Sequence, residues 1–431
     1  MASITSRKKL KVIISNGHFK FILGAVAAEL CKRGMLKLFI TAGYPTPFIK
    51  LVDRVFKLKS KGWLRLLDRK EELPNEVVEP MWLAELLQKV GAALFTAGNP
   101  NNYGMYGWSM RIYGWFSSRL IQDTEANIYH YRAGYGRQSV AAAKRKGMIT
   151  ICDHSLVHPR VLDYLIENGG KLPSVSHNPE ITKFWSEIEV DINQADYVIV
   201  NSDFVKNTFI NRGWDSSRVF VAYTGLDDAL IKSKPQRKCK FTNSNYIQFQ
   251  FAGEGGQRKG LPDLLRAFQG LDDCPWKLNI VGDVHQCVLD EFGEFLRDER
   301  IKLIPFCSRH ELLREMGQTD VFVFPTLAEG SARVVFMAMA MGCYIITTEN
   351  SGSVVKDGLN GTLVNPGDVM GLRDAIRKVI GKGRKINDIG FINSELIEHR
   401  YTQSNYGGRI VEIYREIVAG KQYVIDVKEA P

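Results

Sequence analysis

No stretch of the 431-residue chain approaches 18 uncharged apolar residues, which predicts that nothing in it spans a bilayer. The start, MASITSRKKLKVIIS, is basic but lacks an apolar run of signal-peptide length. Seven cysteines lie at 31, 152, 239, 274, 287, 307 and 343 with no C-x-x-C spacing. That odd, unpatterned set excludes a zinc module and fits reduced thiols in a cytoplasmic protein. Negative charge is in deficit: 57 Lys and Arg against 47 Asp and Glu leave a formal charge of +10. An anionic partner follows, whether nucleic acid, a phosphorylated small molecule or an acidic membrane surface. No nucleic-acid-binding motif is recognisable, so nucleic acid is set aside. The first strand-turn-helix lacks G-x-G-x-x-G, and no acidic residue closes the second strand, which excludes a nicotinamide or flavin enzyme.

Alternating strands and helices fill the sequence. Residues 11–15 (KVIIS) read as a strand followed by the turn Asn16-Gly17-His18, a helix near 21–33 and a second strand at 36–41. This β-loop-α-β opening builds parallel doubly wound sheets. The alternation runs to about residue 231, stops in the basic stretch KSKPQRKCKFTNSN at 232–245, and restarts at 246. The length also favours two domains. The expected division is an acceptor-side Rossmann-like domain at 1–232, a linker at 233–246, a second Rossmann-like domain at 247–403, and a closing helix and tail at 404–431. A break near 393–402 is expected before that last helix. The fold class is α/β, two doubly wound domains facing a central cleft.

Three stretches carry chemistry. Residues 253–260 (GEGGQRKG) form a glycine-rich turn after a strand, where bare backbone admits close approach and Arg258 with Lys259 can neutralise a diphosphate. Residues 321–342 read as a buried strand, a turn carrying Glu329-Gly330-Ser331, and a helix whose first N–H groups lack internal partners. Adjacent parallel strands would bring both turns to the carboxyl edge of one sheet, where open α/β sheets bind ligands. Third, Arg54 to Lys70 interleaves basic residues with an apolar stripe and Trp63. It suits either an anionic membrane interface or a surface helix packed on its own domain. His154 and His158 stand four apart, but Pro159 follows and no further ligand has fixed spacing, so no metal site is expected. Either one of them faces the cleft and hydrogen-bonds a substrate, or both are loop histidines.

The second half resembles the family-four glycosyltransferases of the GT-B fold. The likeness is carried by residues 195–202 (ADYVIVNS), Thr224-Gly225-Leu226-Asp227, Arg258-Lys259-Gly260, Phe324-Pro325, Glu329-Gly330-Ser331, Ala338-Met339-Ala340, Gly342 and Ser351-Gly352-Ser353 through Gly358 and Gly361. It implies a retaining transferase that uses a nucleotide sugar and no metal or other cofactor; Asp-x-Asp is absent from the sequence. By resemblance Arg258 and Lys259 would bind the donor diphosphate, Glu329 the donor sugar, and His158 would lie at the cleft. Donor contacts are expected from Gly253, Gly255, Gly256, Gly330, Ser331, Arg333, Met337 and Ser353, and acceptor-side contacts from Gly17, His18 and His154. The acceptor would be a glycan or a lipid-linked glycan, with the enzyme cytoplasmic or peripheral at the inner face of the membrane. One position departs from the family motif: the second glutamate, which binds the nucleotide ribose, is Met337 here. The alternative is therefore a catalytically impaired relative that binds a nucleotide or glycan as a partner.

Overall fold

The computed structural model describes residues 10–56, 61–94, 100–235, 246–382 and 385–428. Among them thirteen strands form two wholly parallel sheets. The first comprises β1 (Val12–Gly17), β2 (Leu36–Thr41), β3 (Val78–Pro80), β4 (Ile128–Arg132), β5 (Ile149–His154), β6 (Tyr197–Val200) and β7 (Val219–Val221), in the order β3-β2-β1-β4-β5-β6-β7. The second comprises β8 (Ile247–Ala252), β9 (Trp276–Val281), β10 (Ile301–Ile304), β11 (Val321–Phe324), β12 (Tyr344–Thr347) and β13 (Thr362–Leu363), in the order β10-β9-β8-β11-β12-β13. Every residue of β1, β5, β8, β11 and β12 is buried, as befits strands covered on both faces by helices. Alternate residues feed opposite cores. Tyr129 and Cys152 point to one side of the first sheet, Ile128 and Ile151 to the other.

The chain passes between domains twice, and the two passages lie side by side. Leu226 donates its N–H to the Tyr401 carbonyl at 2.9 Å, and Gln403 donates to the Leu226 carbonyl at 2.8 Å. Gly225 has φ +62°, and a Cβ there would sit 2.4 Å from the Tyr401 carbonyl oxygen, so only glycine fits so close a pass. Leu226 and Leu230 already pack in the second core. The crossing therefore precedes the basic stretch, whose residues 236–245 lie outside the described residues.

The expected break near 393–402 is mostly helix, Lys385–Arg400. Asn393 looks like a helix breaker in sequence, but its buried amide donates to the Cys343 and Asn360 carbonyls, both at 3.0 Å. The last helix, Gln403–Lys428, returns to the first domain and buries Tyr406, Ile410 and Tyr414 against Val12, Ile14 and Leu23. From Arg54 to Lys70 the chain is not one helix: Pro47–Phe56 and Lys61–Leu67 flank residues 57–60, which lie outside the described residues. Leu66 is buried, and Arg69 meets Glu85 in a bidentate pair at 2.9 and 3.0 Å. No helix among the described residues is long and apolar enough to cross a membrane.

The return helix is fastened by a buried hydrogen bond of 2.7 Å between His130 Nδ1 and the Tyr414 hydroxyl. His130 Nε2 is buried without a partner among the described residues. Tyr414→Phe strands the second ring nitrogen as well, and is expected to lower unfolding stability by about 1–3 kcal/mol in urea titration. An unchanged midpoint would show that this bond contributes nothing.

Candidate active site

In the second sheet β8 and β11 are neighbours whose onward connections leave in opposite directions. A crevice opens at such a switch point, beyond the carboxyl ends of the two strands. The turn after β8 holds Arg258 and Lys259, and the turn after β11 holds Glu329. Backbone ties them together: the Arg258 carbonyl accepts from Leu327 N at 2.9 Å and from Thr326 Oγ1 at 2.8 Å. Gly260, at φ +75°, lets the first turn press on the second, since a Cβ there would lie 2.1 Å from the Pro325 carbonyl oxygen.

Arg258 Nη1 donates to Glu329 Oε1 at 2.6 Å, and Lys259 Nζ reaches the same oxygen at 2.7 Å. Arg258 Nη2 also lies 3.8 Å from the exposed Glu254, so the two cations are held by two carboxylates, with Glu329 the closer. Arg258 remains 30% exposed and Lys259 18%, so an incoming anion can reach both. The helices behind them, Leu261–Phe268 and Arg333–Ala340, begin without a side-chain cap, whereas Ser202, Asp227 and Ser308 cap helices elsewhere. Their first N–H groups are therefore not consumed by cap side chains. The arrangement can hold a doubly charged anion and stabilise charge developing on it.

The remaining donor candidates fall around this cluster in varied ways. Gly253 donates to the Val281 carbonyl and Gly255 to that of Asp283, while a Cβ on Gly256 would strike the His285 ring at 2.6 Å. His285 bonds Glu254 at 2.9 Å and holds that carboxyl below its ordinary pKa. Ser331 Oγ is buried with no partner among the described residues, and Ser353 Oγ accepts from Ser351 at 2.9 Å. Arg333, half-buried, feels Arg309 and Asp227. Met337 lies in the second apolar core at 5% exposure and offers no hydrogen-bond acceptor of the strength of a carboxylate.

The turn that carries Glu329 also touches the first domain. The Gly330 carbonyl accepts from Ser202 Oγ at 2.5 Å, and a Cβ on Gly330 would lie 2.1 Å from the Ser155 carbonyl oxygen. Ala328 packs into the first domain's core. The resemblance gave Gly330 a place in the donor cradle; in the structure its carbonyl and its missing side chain serve the contact between domains.

The histidines are not brought to the cations. His158 is 2% exposed, its Nδ1 accepts from Arg160 N at 3.3 Å, its Nε2 is 4.0 Å from Glu189, and its ring stands on Phe209. His154 turns Nε2 to the Val157 carbonyl at 3.1 Å within its own loop. His18 is fully buried, with Nδ1 on the Tyr135 hydroxyl at 3.1 Å and Nε2 shared between Ser109 Oγ and the Ala84 carbonyl. In these contacts each ring engages its own domain. Burial lowers the His158 pKa to about 3 and that of His154 to about 4, so both are neutral at pH 7. Gly17, at φ +76°, lies against the Tyr135 ring and donates its N–H to the Tyr113 hydroxyl at 3.1 Å.

Residues 248–382 match the family model described as Glycosyl transferases group 1. The match is confined to the second domain. The match begins in β8, runs past β13, and includes Arg258, Lys259 and Glu329. Over 168 residues the chain is 24% identical to the capsular polysaccharide biosynthesis glycosyltransferase CapM of Staphylococcus aureus, covering 38% of this chain and 44% of that protein. The chain spans about half the length of the curated relatives it matches. The fold is shared more widely. A glycosyltransferase from Rickettsia africae superposes with TM-score 0.61 at 16% identity, over 95% of this chain and 99% of that one. Anabaena HepE, solved in complex with UDP, gives TM-score 0.56 at 16% identity over 94% and 100%. The two-sheet architecture is thus that of the GT-B glycosyltransferases.

Outside the matched glycosyltransferase segment, the first-domain switch point between β1 and β4 holds groups that the sequence analysis missed. Tyr113 bonds Ser15 Oγ at 3.0 Å, Tyr106 bonds Tyr135 at 2.6 Å, and Ser109 reaches His18 at 2.9 Å. Asp191 binds the N–H groups of Gly134, Gly136 and Arg137 at 2.6–2.9 Å and fixes the loop after β4. Residues 106, 109 and 113 share one face of the helix Pro100–Asp123, a periodicity visible in sequence. Their meeting with β1 is not.

The buried neutral histidines set a pH dependence. His154 has its pKa depressed to about 4 in the folded protein against about 6.5 unfolded, so the unfolded chain binds the extra proton between those values. Its contribution is intact above pH 6.5 and lost as pH falls through 4. In His154→Gln, stability should fall less steeply over that window, by up to one proton in the slope of ΔG against pH; equal slopes would mean that His154 titrates normally in the fold.

Proposed function

We propose that the protein transfers a sugar from a nucleotide-sugar donor to a glycan or lipid-linked acceptor in polysaccharide or glycoconjugate assembly. The carrying observation is the convergence of Arg258 and Lys259 on Glu329 Oε1 at the switch point of the second sheet, beside the first domain. The relative CapM, named for capsular polysaccharide biosynthesis, and the HepE complex with UDP support this reading.

The chemistry follows from charge. Breaking a sugar–phosphate bond leaves negative charge on the departing diphosphate, and donors already aimed there lower the barrier. Arg258 and Lys259 exchange the Glu329 carboxylate for phosphate oxygens, and Glu329 turns to accept hydrogen bonds from donor-sugar hydroxyls. The acceptor attacks on the face that the nucleotide leaves, so the anomeric configuration is retained without a side-chain nucleophile. The cations meeting the diphosphate are side chains, so this reading calls for no metal ion. Contact with the inner face of an anionic membrane through Arg54–Lys70 would bring a lipid-linked acceptor within reach.

A second reading, a nucleotide- or glycan-binding partner without turnover, is favoured by the burial of Met337 where the family carries a carboxylate. A panel of nucleotide sugars and acceptors separates the two. Turnover by the native chain, with a product of the donor's anomeric configuration by NMR, supports transfer; nucleotide binding without turnover supports the partner.

Arg258→Ala and Lys259→Ala are each expected to lower kcat/KM by about 10²–10³ while leaving the fold intact. Full activity in either would overturn the assigned role. EDTA should leave the rate unchanged, and loss of turnover that a divalent ion restores would refute the metal-free reaction.

A further inference from the structure

Two helices of the first domain, Trp82–Leu94 and Pro100–Asp123, pack against each other: Ser109 Oγ donates to the Ala84 carbonyl at 2.6 Å, and a Cβ on Gly91 would meet Met105 Cβ at 2.6 Å. Their outer faces are not those of ordinary surface helices. On the first, Leu86 is 58% and Leu94 68% exposed, on the same stripe as Trp82 and Val90 at intervals of four. On the second, Trp108 is 62% and Trp115 42% exposed, seven apart and so on one face. Cations accompany the indoles. The Arg119 guanidinium lies 3.9 Å from the Trp115 ring centre, and Arg111, which also pairs with Glu187, lies 6.0 Å from that of Trp108.

Charge decides what such a surface meets. No acidic residue occurs between Glu85 and Asp123, and Glu85 is itself buried against Arg69. A second copy docked here would bring the same arginines face to face, and Glu187, the carboxylate beside Arg111, is already shared with Arg137. An anionic bilayer supplies phosphates to the arginines, an interface that suits indoles, and hydrocarbon for the leucines. We propose that this helical pair is a membrane-docking surface, with Trp108 and Trp115 at headgroup depth and the leucine stripe of Trp82–Leu94 below it. The proposal rests on the membrane contact of the preceding subsection and extends it from the basic stretch to a surface with apolar depth.

The test is cosedimentation of the full chain with vesicles of phosphatidylcholine alone or with phosphatidylglycerol. The native chain is expected to bind only the anionic vesicles. Trp108→Ser with Trp115→Ser should weaken that binding about tenfold or more. Lipids brominated along the acyl chain should quench the native tryptophan fluorescence, a readout that needs no variant. Native binding that survives loss of both tryptophans, or no quenching, overturns the docking surface. If Lys57, Lys59 and Lys61 changed to Gln release the protein while the tryptophan variant stays bound, the basic stretch alone makes the contact and the surface proposed here is wrong. No binding by the native chain sinks both membrane claims. Sedimentation velocity showing a dimer that the tryptophan variant lacks would assign the face to a second copy. Transfer to a water-soluble acceptor, expected to be unchanged in every variant, separates failure of docking from failure of the donor site.

Discussion

One oxygen of Glu329 receives both Arg258 and Lys259, and the turn that presents it is held between two domains. Each element that matters to the site converges on that arrangement. The parallel order of the second sheet makes β8 and β11 neighbours, which sets the cationic turn beside the acidic one. Gly260 permits the backbones to touch, and the Arg258 carbonyl fastens them. A carboxylate between two cations keeps them pointed into the crevice at modest electrostatic cost, and a diphosphate carries more charge than the carboxylate it displaces. The cluster is organised before its ligand arrives, and little reorientation remains when charge develops.

The contact with the first domain gives this cluster a further property. Ser202 caps its own helix and also donates to the Gly330 carbonyl, so one hydroxyl serves the first domain's structure and the second domain's site turn. Gly330 has no side chain where the Ser155 carbonyl lies. The position of Glu329 is thus set by both domains, although its sequence neighbours belong to only one.

Much of this was legible in the sequence because it is local. A continuous apolar run marked β11; the glycines and the pair Arg258-Lys259 marked one turn, and Glu329-Gly330 the other. The parallel sheet then followed from alternation alone. What escaped was long-range or ambiguous by residue type. Asn393 resembles a breaker until its amide is seen bonded to two carbonyls in the core. Histidines 18, 154 and 158 look available in sequence, where nothing shows that tyrosine, serine or backbone partners occupy them. The domain crossing fell earlier than the basic stretch suggested, because Leu226 and Leu230 pack forward into the second core. Hydrophobic contacts draw that line, and charge composition does not reveal them.

The paired passages at Leu226 and Tyr401–Gln403 carry a mechanical consequence. Two crossings bonded to each other behave as one pivot, which leaves rotation about a single axis easier than sliding or twisting apart. Beyond that pivot Ser202 donates to the Gly330 carbonyl, and Asn350 donates to that of Gly170 at 2.7 Å, so further bonds join the two halves. Parting the halves would break those bonds and withdraw Ala328 from the first core, while bonds at the pivot itself would keep the register for their return.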